Sequence, residues 1–247
     1  MKNFSRTDLA GELVTPVTLH SDDVCKVSEA VLDEETARYY GKSAGRYITI
    51  ETTAIADGNE DGKRRVAEAL AGSMMSFNPD TERILVVGLG NTRMTADALG
   101  AETCAALSAG DGVMCVIPGV PGITGIESFD VVKGVCDRVR PTLVIAVDSL
   151  AAASVSRLAT VVQLCDTGIT PGSGVSNHKR KLSEDTLGVR VIGLGIPLVV
   201  YASTIIREYG GNDEGCETLI VTPKEVDIYV KDAADVIAQA IELMREL

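Results

Sequence analysis

Arg83-Ile-Leu-Val-Val-Gly-Leu-Gly-Asn91 and Pro141-Thr-Leu-Val-Ile-Ala-Val-Asp148 decide how this chain folds. Short apolar runs rich in Val and Ile read as strands buried on both faces of a parallel sheet. In an open parallel sheet, ligands bind beyond the carboxyl ends of the strands. An acid stands at each of those ends: Asp97, in Thr95-Ala-Asp97 after the first run, and Asp148, which closes the second. If the two strands are neighbours, both carboxylates face one cleft. Paired carboxylates in differing surroundings suit acid–base work on water.

Outward from these runs, strand and helix patterns alternate. Residues 46–53 alternate as a strand, and 60–77 place Val66, Ala67, Leu70, Ala71 and Met74 on one helical stripe. A helix is expected over 95–109, with Thr95 as its N-cap and Gly110 as its stop. A strand at 112–117 runs into the turn-rich Pro118-Gly-Val-Pro-Gly-Ile-Thr-Gly125, and a helix follows over 125–140. Strands are expected at 160–165 and 189–194, and helices after Val199 and after Pro223. Residues 1–45 show no sustained period. The alternation predicts an α/β chain in three layers, α/β/α, with a largely parallel sheet flanked by helices.

Composition narrows the function. Of 247 residues, 45% are hydrophobic but only 4% aromatic, so Ala, Val, Ile and Gly must fill the core. A net charge of −12 argues against nucleic-acid or anionic-membrane binding, which needs a positive footprint. No stretch is long and apolar enough to span a membrane, and the N-terminus has no apolar signal core, so a soluble cytoplasmic protein is expected. None of the six cysteines forms a C-x-x-C pair or a zinc spacing, and buried thiols in a reducing compartment are expected.

Each motif has a plain structural reading beside the chemical one. Gly88-Leu-Gly90-Asn91 lacks the third glycine of a dinucleotide fingerprint, Arg93 standing in its place, so a sharp turn beside a substrate is the better reading. Asp97 in a first helical turn could simply complement the helix dipole. Asp148 could cap a helix starting at Ala151, and Asp166, a reserve acid at the end of the next strand, could be a turn residue before Gly168. Ser5, Ser154, Ser173 and Ser176 lack a nucleophile elbow, and the only histidines, His20 and His178, lie in polar segments. One histidine in the basic run His178-Lys-Arg-Lys181 makes a weak metal site.

With these motifs on the page, the chain resembles the germination (spore) protease family. Gly88-Leu-Gly-Asn91 with Thr95-Ala-Asp-Ala-Leu-Gly100 looks like the family signature. Pro118-Gly-Val with Gly122-Ile-Thr-Gly125, Val144-Ile-Ala-Val-Asp-Ser-Leu-Ala151, Asp166-Thr-Gly-Ile-Thr-Pro-Gly-Ser-Gly-Val175, Val221-Thr-Pro-Lys-Glu-Val-Asp227 and Arg6-Thr-Asp-Leu-Ala10 fit in order. The resemblance implies an atypical aspartic endopeptidase on a phosphorylase/hydrolase-like fold shared with hydrogenase maturation proteases. Its substrates would be small acid-soluble spore proteins, cut during germination after Glu or Asp and before an apolar residue followed by Ala. It implies catalytic Asp97 and Asp148, no cofactor, and a homotetramer in the forespore and spore core; beside that pair, Gly90, Asn91 and Arg93 are the candidate substrate contacts.

The resemblance further implies a self-processing zymogen. Asp8-Leu9-Ala10 fits the cleavage rule, which makes residues 1–8 a propeptide and 9–247 a single peptidase domain. A preference for acids calls for a basic subsite, with Arg93, Arg157 and Lys179-Arg180-Lys181 as candidates. The competing reading is a metal-dependent maturation-type protease using the same acids. Where members of the family carry a long insertion before Thr-Pro-Lys-Glu, only Tyr209-Gly-Gly-Asn-Asp-Glu-Gly215 stands here.

Overall fold

The computed structural model describes residues 7–171, 180–213, 215–216 and 218–246. Strands β1 (Val17–Ser21) and β2 (Cys25–Leu32) are followed by helix α1 (Glu34–Tyr40), β3 (Gly45–Thr52) and α2 (Glu60–Met75). Next come β4 (Ile84–Gly88), α3 (Leu99–Ala106), β5 (Val113–Val116), α4 (Pro121–Thr124), α5 (Ser128–Val139) and β6 (Leu143–Ala152). The chain closes with β7 (Val161–Cys165), α6 (Glu184–Leu187), β8 (Arg190–Tyr201), α7 (Ala202–Glu208), β9 (Ile220–Val221) and α8 (Val226–Met244).

These strands form one sheet in the order β1-β2-β3-β7-β8-β6-β4-β5, with β9 added to β8. The three apolar runs at β4, β6 and β8 pair in parallel, and β5 joins them in parallel. From β8 outward through β7, β3, β2 and β1 every pairing is antiparallel. The sheet is therefore mixed rather than largely parallel. Of this antiparallel half, β3 and β7 are the strands expected at 46–53 and 160–165, whereas β1 and β2 fall in residues 1–45: β1 is exposed along its whole length and β2 shows no clean alternation of burial.

Alternate residues of each strand point to opposite faces. Ile84, Val86, Ile145, Val147, Ile192 and Leu194 meet α2, α3 and α8 on one face. Leu85, Val87, Val144, Ala146 and Val191 meet Phe129, Val132 and Cys136 of α5 and Leu187 of α6 on the other. Helix α8 buries the stripe its period predicts, including Val230, Ala233, Ile237, Ile241 and Met244. Burying each larger apolar side chain is worth about 1.5–3 kcal/mol. Lys63 of α2 reaches Asp232 of α8 at 3.1 Å, tying the two helices together at a little-exposed point.

Three boundaries differ from the sequence reading, and two of them shape the cavity described below. Strand β6 runs past Asp148 to Ala152 because β8 stays paired with it, from Leu143 opposite Arg190 to Ala152 opposite Val200, with a one-residue register shift between Leu150 and Ala151. Residues 198–201 therefore extend β8, and α7 begins only at Ala202. The single helix expected from Thr95 is a 3₁₀ turn, Thr95–Asp97, followed by α3.

Helix α3 docks backbone to backbone. A Cβ on Gly100 would lie 2.4 Å from Leu89 N and 2.5 Å from Val147 O, and one on Gly88 would lie 2.4 Å from Gly100 O. Overpacking of this kind typically costs about 1–3 kcal/mol, so Gly100→Ala should lower the unfolding free energy by that amount in equilibrium urea titrations. Unchanged stability would mean that α3 does not pack this closely.

Candidate active site

Strand β4 ends at Gly88, which pairs with Val147, while β6 continues. Asp148 is thus the first residue of β6 beyond the end of its neighbour. Counting alternation from Ile145 and Val147, its side chain faces away from α2 and α8. Asp148 is 7% exposed, and its Oδ1 accepts the N–H of Ser149 at 2.9 Å.

Asp97 arrives from the other side of the same gap. The chain leaving β4 turns at Gly90, whose φ is +101° and whose added Cβ would fall 1.9 Å from the carbonyl oxygen of Asp97. The N–H of Asn91 donates to Asp97 Oδ2 at 2.9 Å, and the N–H of Asp97 donates to the Met94 carbonyl at 2.8 Å. Asp97 is therefore held by its own loop as well as standing near a helix start. Gly90 gives it room and Asn91 fixes its carboxylate.

Both aspartates line a cavity of about 560 Å³. Gly193 and Gly195 of β8 also line it, Gly195 close under the Leu150 side chain and Gly193 close to Cys165 and the Gly168 backbone. Gly195 lies opposite Asp148 on one side and opposite Gln163 of β7 on the other. With strands about 4.8 Å apart, the α-carbons of Asp148 and Gln163 are roughly 10 Å apart across that glycine. Tyr47, Cys165, Thr167 and Lys181 continue the wall, and Ser149 Oγ is buried there without a hydrogen-bond partner.

The N-terminal segment enters this cavity. Asp8 lines it, and its main chain bonds to strands on both sides. The N–H of Asp8 donates to Ala151 O at 2.8 Å, and its carbonyl accepts Gln163 Nε2 at 2.9 Å. Leu9 is buried among Leu150, Ala152, Val161 and Val200, and Ala10 packs against Tyr47 and Cys165. The Asp8–Leu9 bond thus lies at the cavity wall, with its downstream side buried. Residues 1–6 lie outside the described residues.

The other residues singled out in the sequence separate clearly. Arg93 is exposed outside the cavity lining, with its N–H on Asn91 Oδ1. Arg157 pairs with Glu51 at 2.8 Å, and Arg180 pairs with Asp130 and stacks on Phe129. Asp166 accepts the Arg46 N–H at the start of β3, outside the cavity. Ser154 bonds within its own turn, and His20 pairs with Asp22 beside the edge strand. Ser5, Ser173, Ser176, His178 and Lys179 lie outside the described residues. Lys181 does line the cavity and donates to Ser43, and burial holds its ammonium below the usual lysine range. Lys42, Gln163 and the glycine pair of β8 carried no sequence motif.

Cys165 lines the cavity, but burial pushes its thiol up, which disfavours the thiolate a cysteine nucleophile needs. No group of three His, Cys, Asp or Glu among the described residues is placed to hold a metal. No helix among them is long and apolar enough to cross a membrane.

The phenol of Tyr47 donates to the Ser43 carbonyl at 2.8 Å, and burial raises its pKa from 10.0 to about 12. The folded chain keeps this proton where the unfolded chain has lost it. The resulting stability is complete below pH 10.0 and is lost as pH rises towards about 12. Guanidinium titrations between about pH 9 and 11 should show that fall, and Tyr47→Phe should flatten it. Identical slopes in parent and variant would contradict the assignment.

Comparison with known proteins gives the family. A family model described as germination protease matches residues 8–209. A germination protease of Caldanaerobacter subterraneus subsp. tengcongensis is 37% identical, the alignment covering 86% of this chain and 82% of that protein. Those of Bacillus licheniformis and Priestia megaterium are 39% and 40% identical over 76% and 74% of this chain. The chain spans only 57% and 55% of the length of these two. It belongs to the germination protease family, a family of peptidases.

Proposed function

We propose that this chain is an endopeptidase that cuts small acid-soluble spore proteins during germination, using Asp97 and Asp148 to activate water. The observation that carries the reading is that two aspartates, from separate elements, line one cavity that also receives Asp8 of the N-terminal segment. One aspartate, ionised, takes a proton from the attacking water. The other, protonated, donates to the scissile carbonyl as the tetrahedral intermediate forms; the proton taken from water then passes to the departing amine nitrogen, and the second aspartate recovers its proton as the intermediate collapses to the acid. The two would titrate as a unit.

Membership of the family supports cleavage after Glu or Asp, before an apolar residue followed by Ala. Asp8-Leu9-Ala10 has that pattern and lies at the cavity wall. We read residues 1–8 as a propeptide removed by the chain itself, leaving 9–247 as one peptidase domain. Gly90 and Asn91 serve the reaction by fixing Asp97. The exposed Arg93 is placed to meet substrate only outside the cavity. Assembly as a homotetramer and action in the spore core complete the proposal. The exposed edge strand β1, with Val17 and Leu19 outward, is one surface open to assembly.

General acid–base help is worth about 10²–10⁴ in rate, so Asp97→Asn and Asp148→Asn should each reduce kcat by that factor in a folded protein. The assay is incubation with a purified small acid-soluble spore protein, with fragment masses read by mass spectrometry. Cuts should follow acidic residues, and the enzyme's own mass should show loss of residues 1–8. Full activity in either variant would exclude the dyad.

A further inference from the structure

We propose that Lys42 reads the acidic side chain on the N-terminal side of the cut bond, in a subsite framed by the N–H of Ala151 and the carboxamide of Gln163. The inference rests on the peptidase reading above and names the residue behind its specificity. Asp8 shows how the subsite is filled. Its Oδ1 lies 3.4 Å from Lys42 Nζ, and its Oδ2 accepts the Ala151 N–H at 2.9 Å. The two side chains are 19% and 21% exposed, so solvent screens the pair less than it would a fully exposed one.

The contacts around Asp8 divide by what they can discriminate. Ala151 O takes its N–H and Gln163 Nε2 holds its carbonyl, while Gln163 Oε1 accepts the N–H of Ala10 at 2.7 Å. One carboxamide therefore clamps the backbone on either side of Leu9. These bonds resemble strand addition and are indifferent to side chains. Only the carboxylate contacts distinguish an acid from its amide, and Lys42 supplies the charge.

Lys42 is also well placed to do this. It follows the left-handed Gly41 at the end of α1, and its N–H is bonded to the Ala37 carbonyl at 2.8 Å. The ammonium is thus delivered from an anchored turn. Of the cations named from sequence, Arg157 and Arg180 are engaged with other acids, and Lys181 is turned to Ser43.

The test uses two peptides identical except for Glu or Gln before the cut, assayed with the purified chain, Lys42→Gln and Lys42→Arg. A charge-assisted bond should give the parent a preference of about 10–100-fold in kcat/KM for the Glu peptide. Lys42→Gln should lose that preference, mainly through KM, while cutting the Gln peptide within about twofold of the parent. Lys42→Arg should retain most of it. A preserved preference in Lys42→Gln, an equal loss on both peptides, or loss of the preference in Lys42→Arg would each overturn the assignment. If the parent cuts neither peptide nor a small acid-soluble spore protein, the peptidase reading itself fails. If the parent cuts after acids and Lys42→Gln still does, only the role of Lys42 fails.

Discussion

Backbone touches backbone where α3 meets the ends of β4 and β6, and the geometry of the site depends on that contact. Gly100 has no room for a Cβ against Leu89 and Val147, and Gly88 has none against Gly100. The close seat sets where α3 begins, which fixes where the preceding 3₁₀ turn lies and hence where Asp97 stands. Gly90 makes the same kind of approach to Asp97 directly. Loops usually place functional groups less precisely than regular elements do. Here the loop between β4 and α3 is pinned at both ends and braced by the Asn91 N–H.

The second determinant is the unequal length of the strands. β4 stops at Gly88, while β6 and β8 run on together for several residues. The missing strand leaves one side of β6 without a partner at Asp148. Gly193 and Gly195 let Gly168 and Leu150 lie close against β8, where a larger side chain would clash. Gly195 pairs with both Asp148 and Gln163. The mixed topology matters here as well. β7 runs antiparallel to β8 and so brings Gln163 level with Gly195, where it reaches the N-terminal segment.

That segment links fold and chemistry. Leu9 and Ala10 contribute to two separate apolar clusters, while Asp8 stays at the cavity and makes polar contacts. Apolar burial holds the downstream residues, and hydrogen bonds set the acid. The same division would serve an incoming peptide. Its backbone could pair with the strands whatever its sequence, and on the reading proposed above its acidic residue would meet Lys42.

Much of this was legible in the residues themselves. The runs at β4 and β6 announce buried parallel strands because a strand covered on both faces must be apolar throughout. The 3.6-residue period of α2 and α8 announces helices with one buried face. The order of motifs carried the family resemblance, which pointed to Asp97 and Asp148 as the proposed pair. Sequence could not show that β7, β3, β2 and β1 pair antiparallel, since direction is set by pairing between distant strands, and β1 buries none of its residues. Nor could it show that β6 outlasts β4, because a strand's end is set by its partner's hydrogen bonds rather than by its own residues. Lys42 and Gln163 were silent for a related reason. Each is an ordinary polar residue until strand order and register bring it beside Asp8, 34 and 155 positions away in the chain. The sequence by itself determined most of the elements, whose signals are local, and pointed to the two acids through the family resemblance. Only the tertiary structure decided which residues surround them, because that depends on pairing between distant strands.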